Sequence, residues 1–340
     1  MDPRGFPTTL REFQTVFPDD TACAKYLELV RWPGGFTCPK CSTSGEPYRF
    51  PSRTSVVLRC RKCKSNASLT AGTVMQSTHT PLSVWFWGAY LVTTQTPGQS
   101  ALQFQRQLGL SRYETAFQIL HKLRAGMVRP ERDGIGGDYP VEVDECIIGG
   151  PARGEKHWIN SKSRVIGAVE VRPRKDPEKI TAKFQHHLGG VPIKKLIYAG
   201  RLRLRVMDIR GEGYAHTNFV TENIAKGSKI KTDGANVYRR VKALGYQHEP
   251  LDLHGDPAKA ERHLPMIHLV FSNLKTWILG THHGAIAARH LQAYLNEYVF
   301  RFNRRFYPMT GFNSVLGLAA RSISPTYEQL YSGDWEHPGL

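Results

Sequence analysis

Apolar and polar residues alternate along Val141-Glu-Val-Asp-Glu-Cys-Ile-Ile148, the period of two that predicts a β-strand. Ser163–Val171 and Leu202–Ile209 read the same way, and their largely polar connections predict antiparallel pairing. Beyond them the pattern predicts a helix over Thr217–Ala225, a short strand over Ser228–Thr232 and a helix over Asn236–Leu244. Two longer helices follow, over about Leu264–Leu279 and Ala288–Asn303. Three strands, a helix, a further strand and flanking helices fit an α/β layer of the RNase H-like (retroviral integrase-like) kind. Upstream, residues 80–128 carry apolar periodicity with Pro81 and Pro97 as their only prolines, and read as helical. Asp20–Arg31 predicts a short helix ahead of Trp32-Pro-Gly-Gly, and the Gly-, Pro- and Asp-rich run Arg129–Tyr139 reads as a linker. No internal repeat or low-complexity tract interrupts this order. The expected segments are 1–75, 76–130 and 140–320, with a tail over 321–340.

Charge changes the picture. The chain of 340 residues holds 46 Lys and Arg against 29 Asp and Glu, a formal net charge of +17. Such an excess repels itself unless a polyanion neutralises it, which puts nucleic acid first among partners and leaves a merely basic soluble protein as the alternative. Residues 151–210 concentrate 15 of the basic residues against 5 acids. No run approaches the roughly 18–20 apolar residues of a membrane helix. The opening Met-Asp-Pro-Arg-Gly lacks a signal peptide's apolar stretch, so no membrane partner is expected. Six cysteines in a chain this long do not make a disulfide framework, and the expected compartment is a reducing cytoplasm.

Four of those cysteines form Cys38-Pro-Lys-Cys41 and Cys60-Arg-Lys-Cys63, two CxxC knuckles with 18 residues between them. Thiolates at this spacing close a tetrahedral zinc site, and four protein ligands leave no open position, so the zinc is structural. Thioredoxin-type chemistry would use a single CxxC near a βαβ unit. Tyr48-Arg-Phe50 and Val56-Val-Leu58 would form a hairpin carrying the second knuckle, making 1–75 an N-terminal helix and zinc ribbon. Lys40, Arg61 and Lys62, with Arg59 and Lys64, surround the cysteines as phosphate contacts or as plain solvated charge. Cys23 and Cys146 read as packing residues. Within 76–130, Ala101–Leu108, the Gly109-Leu110 turn and a helix to Arg124 outline a helix-turn-helix. Ser111 and Glu114 predict a capping box, with Arg112 and Tyr113 projecting toward DNA. The same segment also reads as a bundle piece with Phe117, Leu120 and Leu123 in its core.

The α/β region carries the candidate chemistry. Asp144 lies in the first strand and Asp233 ends the short strand before Gly234. Then 34 residues pass before His268, and Lys275 follows seven positions on, two turns later on nearly the same helix face. Singly, each aspartate also reads as a turn or cap residue. Together, on separate strands of a basic chain, they are what holds divalent metal beside a phosphodiester. Glu145 points to the opposite face of the strand and is the poorer ligand.

Several motifs carry a resemblance. They are Phe17-Pro-Asp-Asp, Arg31-Trp-Pro-Gly-Gly-Phe-Thr-Cys-Pro-Lys-Cys41, Ala71-Gly-Thr-Val, Val141-Glu-Val-Asp-Glu, Thr232-Asp-Gly, Ser272-Asn-Leu-Lys-Thr-Trp, Gly280-Thr-His-His-Gly and Tyr294-Leu-Asn-Glu-Tyr-Val-Phe-Arg-Phe-Asn-Arg-Arg305. In this order, from about residue 17 to 320, the chain resembles bacterial insertion-sequence transposases of the group related to the eukaryotic Merlin elements. The resemblance implies a DDE-type, RNase H-like domain that cuts and joins DNA with two divalent ions, Mg²⁺ or Mn²⁺. It also implies binding to terminal inverted repeats and target DNA, as a homo-oligomer associated with the nucleoid. Asp144 and Asp233 match the first two catalytic acids. The third acid is due about 34 residues after the second and seven before a lysine, where this chain has His268. Imidazole in place of a carboxylate favours Mn²⁺ over Mg²⁺. It also motivates the alternative of a decayed or domesticated copy that binds DNA without cutting it. A third class, a zinc-ribbon transcription factor, has no need of the paired aspartates. Lys275 is expected at a DNA phosphate. Asn273, about 140° round the helix, and Glu297, a helix later, are the weaker ligand candidates. His282 and His283 are expected to join helices. Arg301, Arg304 and Arg305 with Phe302 and Phe306 serve DNA, a partner subunit or packing.

Overall fold

The computed structural model describes residues 7, 9–52, 56–128, 132–149, 162–183, 191–207, 212–251, 259, 262–283, 286–320 and 325–332. The chain divides into two compact units, Met1–Pro130 with Arg304–Gly339, and Glu131–Asn303.

In the first unit, α1 (Leu10–Val16) and α2 (Asp20–Arg31) start where short polar side chains satisfy free helix N–H groups. Thr9 Oγ1 accepts from Glu12 N at 3.2 Å and Asp19 Oδ1 from Ala22 N at 2.8 Å. The strands β1 (Tyr48–Pro51), β2 (Val56–Arg59) and β3 (Asn66–Ser68) form an antiparallel sheet in that order. The nearly all-apolar α3 (Leu82–Thr94) is buried around most of its circumference, as a helix without a polar face must be. Phe13, Phe17, Tyr26 and Phe86 gather around Phe312 of a late helix, Pro308–Ala319. The segment from Arg304 therefore packs with the N-terminal helices, whereas the sequence reading carried the α/β segment on to 320. The helices α4 (Ala101–Gln107) and α5 (Tyr113–Ala125) occupy the two stretches read as helical. The capping box does not form: Arg112 is the N-cap of α5, without a side-chain cap, and Ser111 lies one residue too early. Glu114 still sits in the first turn, where an acid opposes the helix dipole.

The second unit is a five-stranded mixed sheet built from β4 (Val141–Ile148), β5 (Ser163–Pro173), β6 (Ile197–Met207), β7 (Lys229–Thr232) and β8 (Gln247–Pro250), in the order β6-β5-β4-β7-β8. The pairs β4/β5 and β5/β6 are antiparallel, as expected, while β4/β7 and β7/β8 are parallel. Short helices α6 (Pro177–Lys183) and α7 (Ile193–Leu196) lie between β5 and β6. On one face Val141, Val143, Ile166 and Ala168 pack with Phe219 and Val220 of α8 (Glu212–Asn223), and with Tyr238 and Val241. On the other, Cys146, Ile148, Val165 and Val169 pack with α9 (Pro265–His282) and α10 (Ala288–Asn303).

Three expectations change here. Asn236–Leu244 is a single 3-10 turn, Asn236–Tyr238, followed by further turns with bonds such as Val241 N to Tyr238 O. Those turns already bury Tyr238 and Val241, so a full helix adds no burial. The edge strand β8 escaped the reading because its residues are polar and half-exposed. The linker's second half is built into the unit. Ile135 bridges to Ile224, and Gly136, at φ +98°, offers its N–H to Glu170. The linker's residues 129–131 lie outside those described. Among the described residues no helix is long and apolar enough to cross a membrane.

Candidate active site

The period of two in β4 sends Glu142, Asp144, Cys146 and Ile148 to the α9 face and Val141, Val143 and Glu145 to the other. Parallel pairing aligns Val141 with Ile230 and Glu142 with Lys231. Continued two residues, that register sets Asp144 beside Asp233, where β7 ends. The loop after Asp233 turns on its own side chain, Oδ1 accepting from Ala235 N at 3.0 Å. From α9, His268 Nε2 lies 3.0 Å from Asp144 Oδ2. Two features seat that helix. Glu142, 1 % exposed, accepts from both Met266 N and Ile267 N at 2.8 Å through one oxygen, Oε2. On β5, Gly167 is the cross-strand partner of Asp144. A Cβ there would stand 2.9 Å from side-chain atoms of Leu204 and Phe271 and 3.0 Å from Ile267, so a larger residue makes these side chains shift where α9 meets the sheet.

Electrostatics single out the same place. Burial raises the Asp233 carboxyl above its usual range against the Ala235 N–H bond, and the charges of Asp144 and Glu145 raise it further. Burial pushes Glu142 up to about 7 despite its two N–H bonds and the nearby Lys231 and His268. On the sheet's far face, burial of Glu145 is outweighed by the adjacent His216 ring and the bond from Tyr238, which hold it low. His216 Nε2 is 2.8 Å from Glu145, and Tyr238 donates to it at 2.5 Å. Glu145 thus braces the Asp233 loop, in keeping with its expected direction away from the helix.

Whether a divalent ion suits these residues is a matter of donor chemistry. Two carboxylates that repel one another and an imidazole are a fitting donor set. Cis ligands about 2.1 Å from an octahedral ion stand roughly 3 Å apart, the Asp144–His268 separation. The group is open: among the described residues, the cysteine quartet is where three or more His, Cys, Asp or Glu donors all approach within 4.8 Å. Lys275 is exposed on α9 and its charge acts on Cys146, so it lies toward β4 like His268. Asn273 is exposed on the helix. Glu297 is fully buried and pairs with Arg301 at 3.1 Å. His282 packs against Tyr294 with the rings tilted, and His283 ends α9 in a left-handed turn at φ 52°. Arg301 lies over Trp277 and Phe302 packs against the core, while Arg305 covers the exposed Phe306.

The cysteines form a repeated geometry. Cys38 N and Cys60 N donate to Thr43 O and Ser65 O, while Ser42 N and Lys64 N donate back to Cys38 O and Cys60 O. Ser42 and Lys64 are both left-handed, at φ 54° and 59°. Sulfur separations of 3.6 Å (Cys38–Cys63) and 3.7 Å (Cys41–Cys60) match the roughly 3.8 Å edge of a zinc–thiolate tetrahedron. Hydrogen bonding with the Thr43 hydroxyl and N–H draws Cys41 down to about 6. At Cys63 the Ser65 N–H bond is overcome by burial and the other thiols, and the pKa rises to about 11. A zinc ion relieves that mutual repulsion. Cys23 and Cys146 are buried and free. Lys40, Arg61 and Lys62 are exposed around the knuckles, with Arg61 4.8 Å from the Tyr48 ring, and Arg112 and Tyr113 are exposed at the start of α5.

Residues 135–303 match the ISXO2-like transposase domain, and residues 18–66 match the transposase zinc-ribbon domain. The chain belongs to the insertion-sequence transposases. No curated protein and no solved structure matches it. The matched transposase domain ends at Asn303, where the second compact unit also ends, and contains Asp144, Asp233, His268 and Lys275. The matched ribbon contains all four cysteines, which supports structural zinc. Glu142 and Gly167 escaped the sequence reading. Their signals were an acid sharing the strand face of Asp144 and a glycine inside a strand pattern.

Proposed function

We propose that the chain is a DNA transposase that binds the terminal inverted repeats of its element, cleaves at the ends and joins them to target DNA. The observation that carries this reading is the convergence of Asp144, Asp233 and His268 from two adjacent strands and one helix in a strongly basic chain. Strand order and direction in the second unit suit an RNase H-like domain, with the second strand antiparallel between the first and third. The pair α4/α5 suits a helix-turn-helix that presents Arg112 and Tyr113. Lys40, Arg61 and Lys62 are the ribbon's phosphate contacts, and double-stranded DNA is the partner of both, in a homo-oligomeric complex.

Asp144, Asp233 and His268 would hold the divalent metal, Mg²⁺ or Mn²⁺. When bound, it lowers the pKa of the attacking water and stabilises charge on the phosphorus. His268 would contribute the lone pair of Nε2, the ring nitrogen that faces Asp144 Oδ2 across the site. Lys275 offers positive charge to the phosphate on the same helix side. The Glu145, His216 and Tyr238 cluster keeps the Asp233 loop in place. A second reading, end binding without cleavage, is favoured by the imidazole at the third position. An assay of end cleavage and of strand transfer from pre-cleaved ends separates the two. Metal-dependent joining by the wild type, lost in Asp144→Asn and Asp233→Asn, supports the transposase. No joining under Mg²⁺ or Mn²⁺, with tight end binding, supports the other.

A further inference from the structure

The helix that carries His268 has almost nothing of its own to hold its first turn. Its N-cap Leu264 has no side-chain cap, and Pro265 in the first turn brings no N–H. The next two N–H groups, of Met266 and Ile267, both end on Glu142 Oε2 at 2.8 Å, and His268 is the following residue. Glu142 stands two residues before Asp144 on the same face of β4, so one strand holds both the helix start and its partner across the site. A carboxylate 1 % exposed is costly to bury, and the oxygen that takes both bonds is aimed at that turn alone. Gly167 gives the second point of the seat by letting Ile267 and Phe271 reach the sheet.

We infer that Glu142 is a positioning residue for the metal site: by anchoring the first turn of α9, it keeps His268 at ligating distance from Asp144. This rests on the reading of His268 as a ligand. Partners that orient metal ligands typically change metal affinity by about 10–100-fold when removed. The requirement is for a hydrogen-bond acceptor of the right reach. Glu142→Gln keeps an acceptor, Glu142→Asp keeps the charge but is one methylene too short, and Glu142→Leu removes the acceptor at similar volume.

The test uses the full-length, zinc-loaded chain. Mn²⁺ binding is followed by the electron paramagnetic resonance of free Mn²⁺, beside end cleavage, end binding and thermal melting. We expect Mn²⁺ affinity to fall at least about tenfold in Glu142→Leu and Glu142→Asp, and to stay within about threefold of wild type in Glu142→Gln. End binding and zinc content stay unchanged in all three, and excess Mn²⁺ partly restores cleavage in Glu142→Asp. Wild-type Mn²⁺ affinity in Glu142→Asp or Glu142→Leu, alongside lost affinity in His268→Ala, overturns the positioning role and leaves His268 standing. A Glu142→Gln defect equal to that of Glu142→Leu also overturns it, because the acceptor would then be present without effect. If Glu142→Leu does not fold, Glu142→Asp against Glu142→Gln carries the comparison. Undiminished Mn²⁺ binding and cleavage in His268→Ala removes the ligand reading, and the positioning role with it.

Discussion

Asp144 and Asp233 differ in what surrounds them, yet losing either carboxylate should have the same effect. Asp144 meets an imidazole at 3.0 Å, whereas Asp233 is raised by burial and by the neighbouring Asp144 and Glu145 charges. Replacing either by Asn removes negative charge from the site and lowers local repulsion. Cleavage should be abolished in both variants, with end binding intact or slightly tighter, because affinity comes mainly from Lys and Arg at phosphates. A gel-shift and cleavage assay on the same samples checks this, and wild-type cleavage by either variant removes that residue from the site. At the third position, His268→Ala should lose activity and Mn²⁺ should serve the wild type better than Mg²⁺. His268→Glu should shift the preference toward Mg²⁺ by making the site all-oxygen. Full activity in His268→Ala with a dead Glu297→Gln would transfer the role to Glu297, although its burial against Arg301 argues otherwise. Spacing and alternation are what single out the two aspartates and the histidine in the sequence, and the structure sets His268 3.0 Å from Asp144. Glu142 was not legible there, because an acid that caps a helix more than a hundred residues away leaves no trace in the spacing of either element.

Elements were legible where burial alone decides them. β4 follows its alternating pattern from Val141 to Ile148, and α10 matches the predicted Ala288–Asn303. The misses lie where a local pattern was met by another geometry: the turns after Asn236, the polar edge strand β8 and the shifted start of α5. The same scale predicts that Gly167→Ala, one methyl group, crowds Leu204, Phe271 and Ile267 and disturbs the seat of α9 on the sheet. Overpacking of this kind costs about 1–3 kcal/mol, and cleavage should fall more than stability alone explains. A bulge between Val169 and Val171 carries Glu170, whose carboxylate takes bonds from Gly136 N, Arg201 N and the Arg172 and Arg201 side chains. Burial would raise Glu170, but those donors outweigh it and hold its folded pKa below the ordinary carboxylate value. The stabilisation is therefore present in full above about pH 4.3, the unfolded value, and is lost as pH falls through the lower folded value. Thermal melts between pH 7 and pH 2 should show an acid-side loss that Glu170→Gln lacks. At neutral pH, Glu170→Ala should cost roughly 3 kcal/mol, the low end for a broken buried pair, since both guanidinium groups are partly solvated. Equal acid sensitivity in Glu170→Gln would assign that loss to other carboxylates.

At the scale of the whole molecule, the chain leaves its first compact unit at Pro130 and returns to it at Arg304. Sequence order conceals this return, because Pro308–Ala319 follows α10 directly and continues its apolar periodicity. The ring contacts reveal it. Phe312 is fully buried among Phe13, Phe17, Tyr26 and Phe86, and Val74 N donates to Ala319 O at 3.1 Å. Two stabilising devices therefore serve this unit, the zinc quartet and the returning helix. Metal analysis of the full chain should find about one zinc, and a strong chelator should lower the melting of this unit, since ligation energy is folding energy in so small a ribbon. Phe312→Ala should cost about 3–5 kcal/mol in the same unit, the range for deleting a buried aromatic. A chain stopped at Asn303 loses that helix altogether and bares the aromatic side chains that pack on Phe312, Tyr90 among them. It should aggregate or melt early in the zinc-bearing unit, whereas residues 131–303 expressed alone should remain folded. Supplying Pro308–Ala319 as a separate peptide should restore part of the lost stability by mass action. If the shortened chain melts like the full one, unmoved by the peptide, the returning helix is not what closes that core.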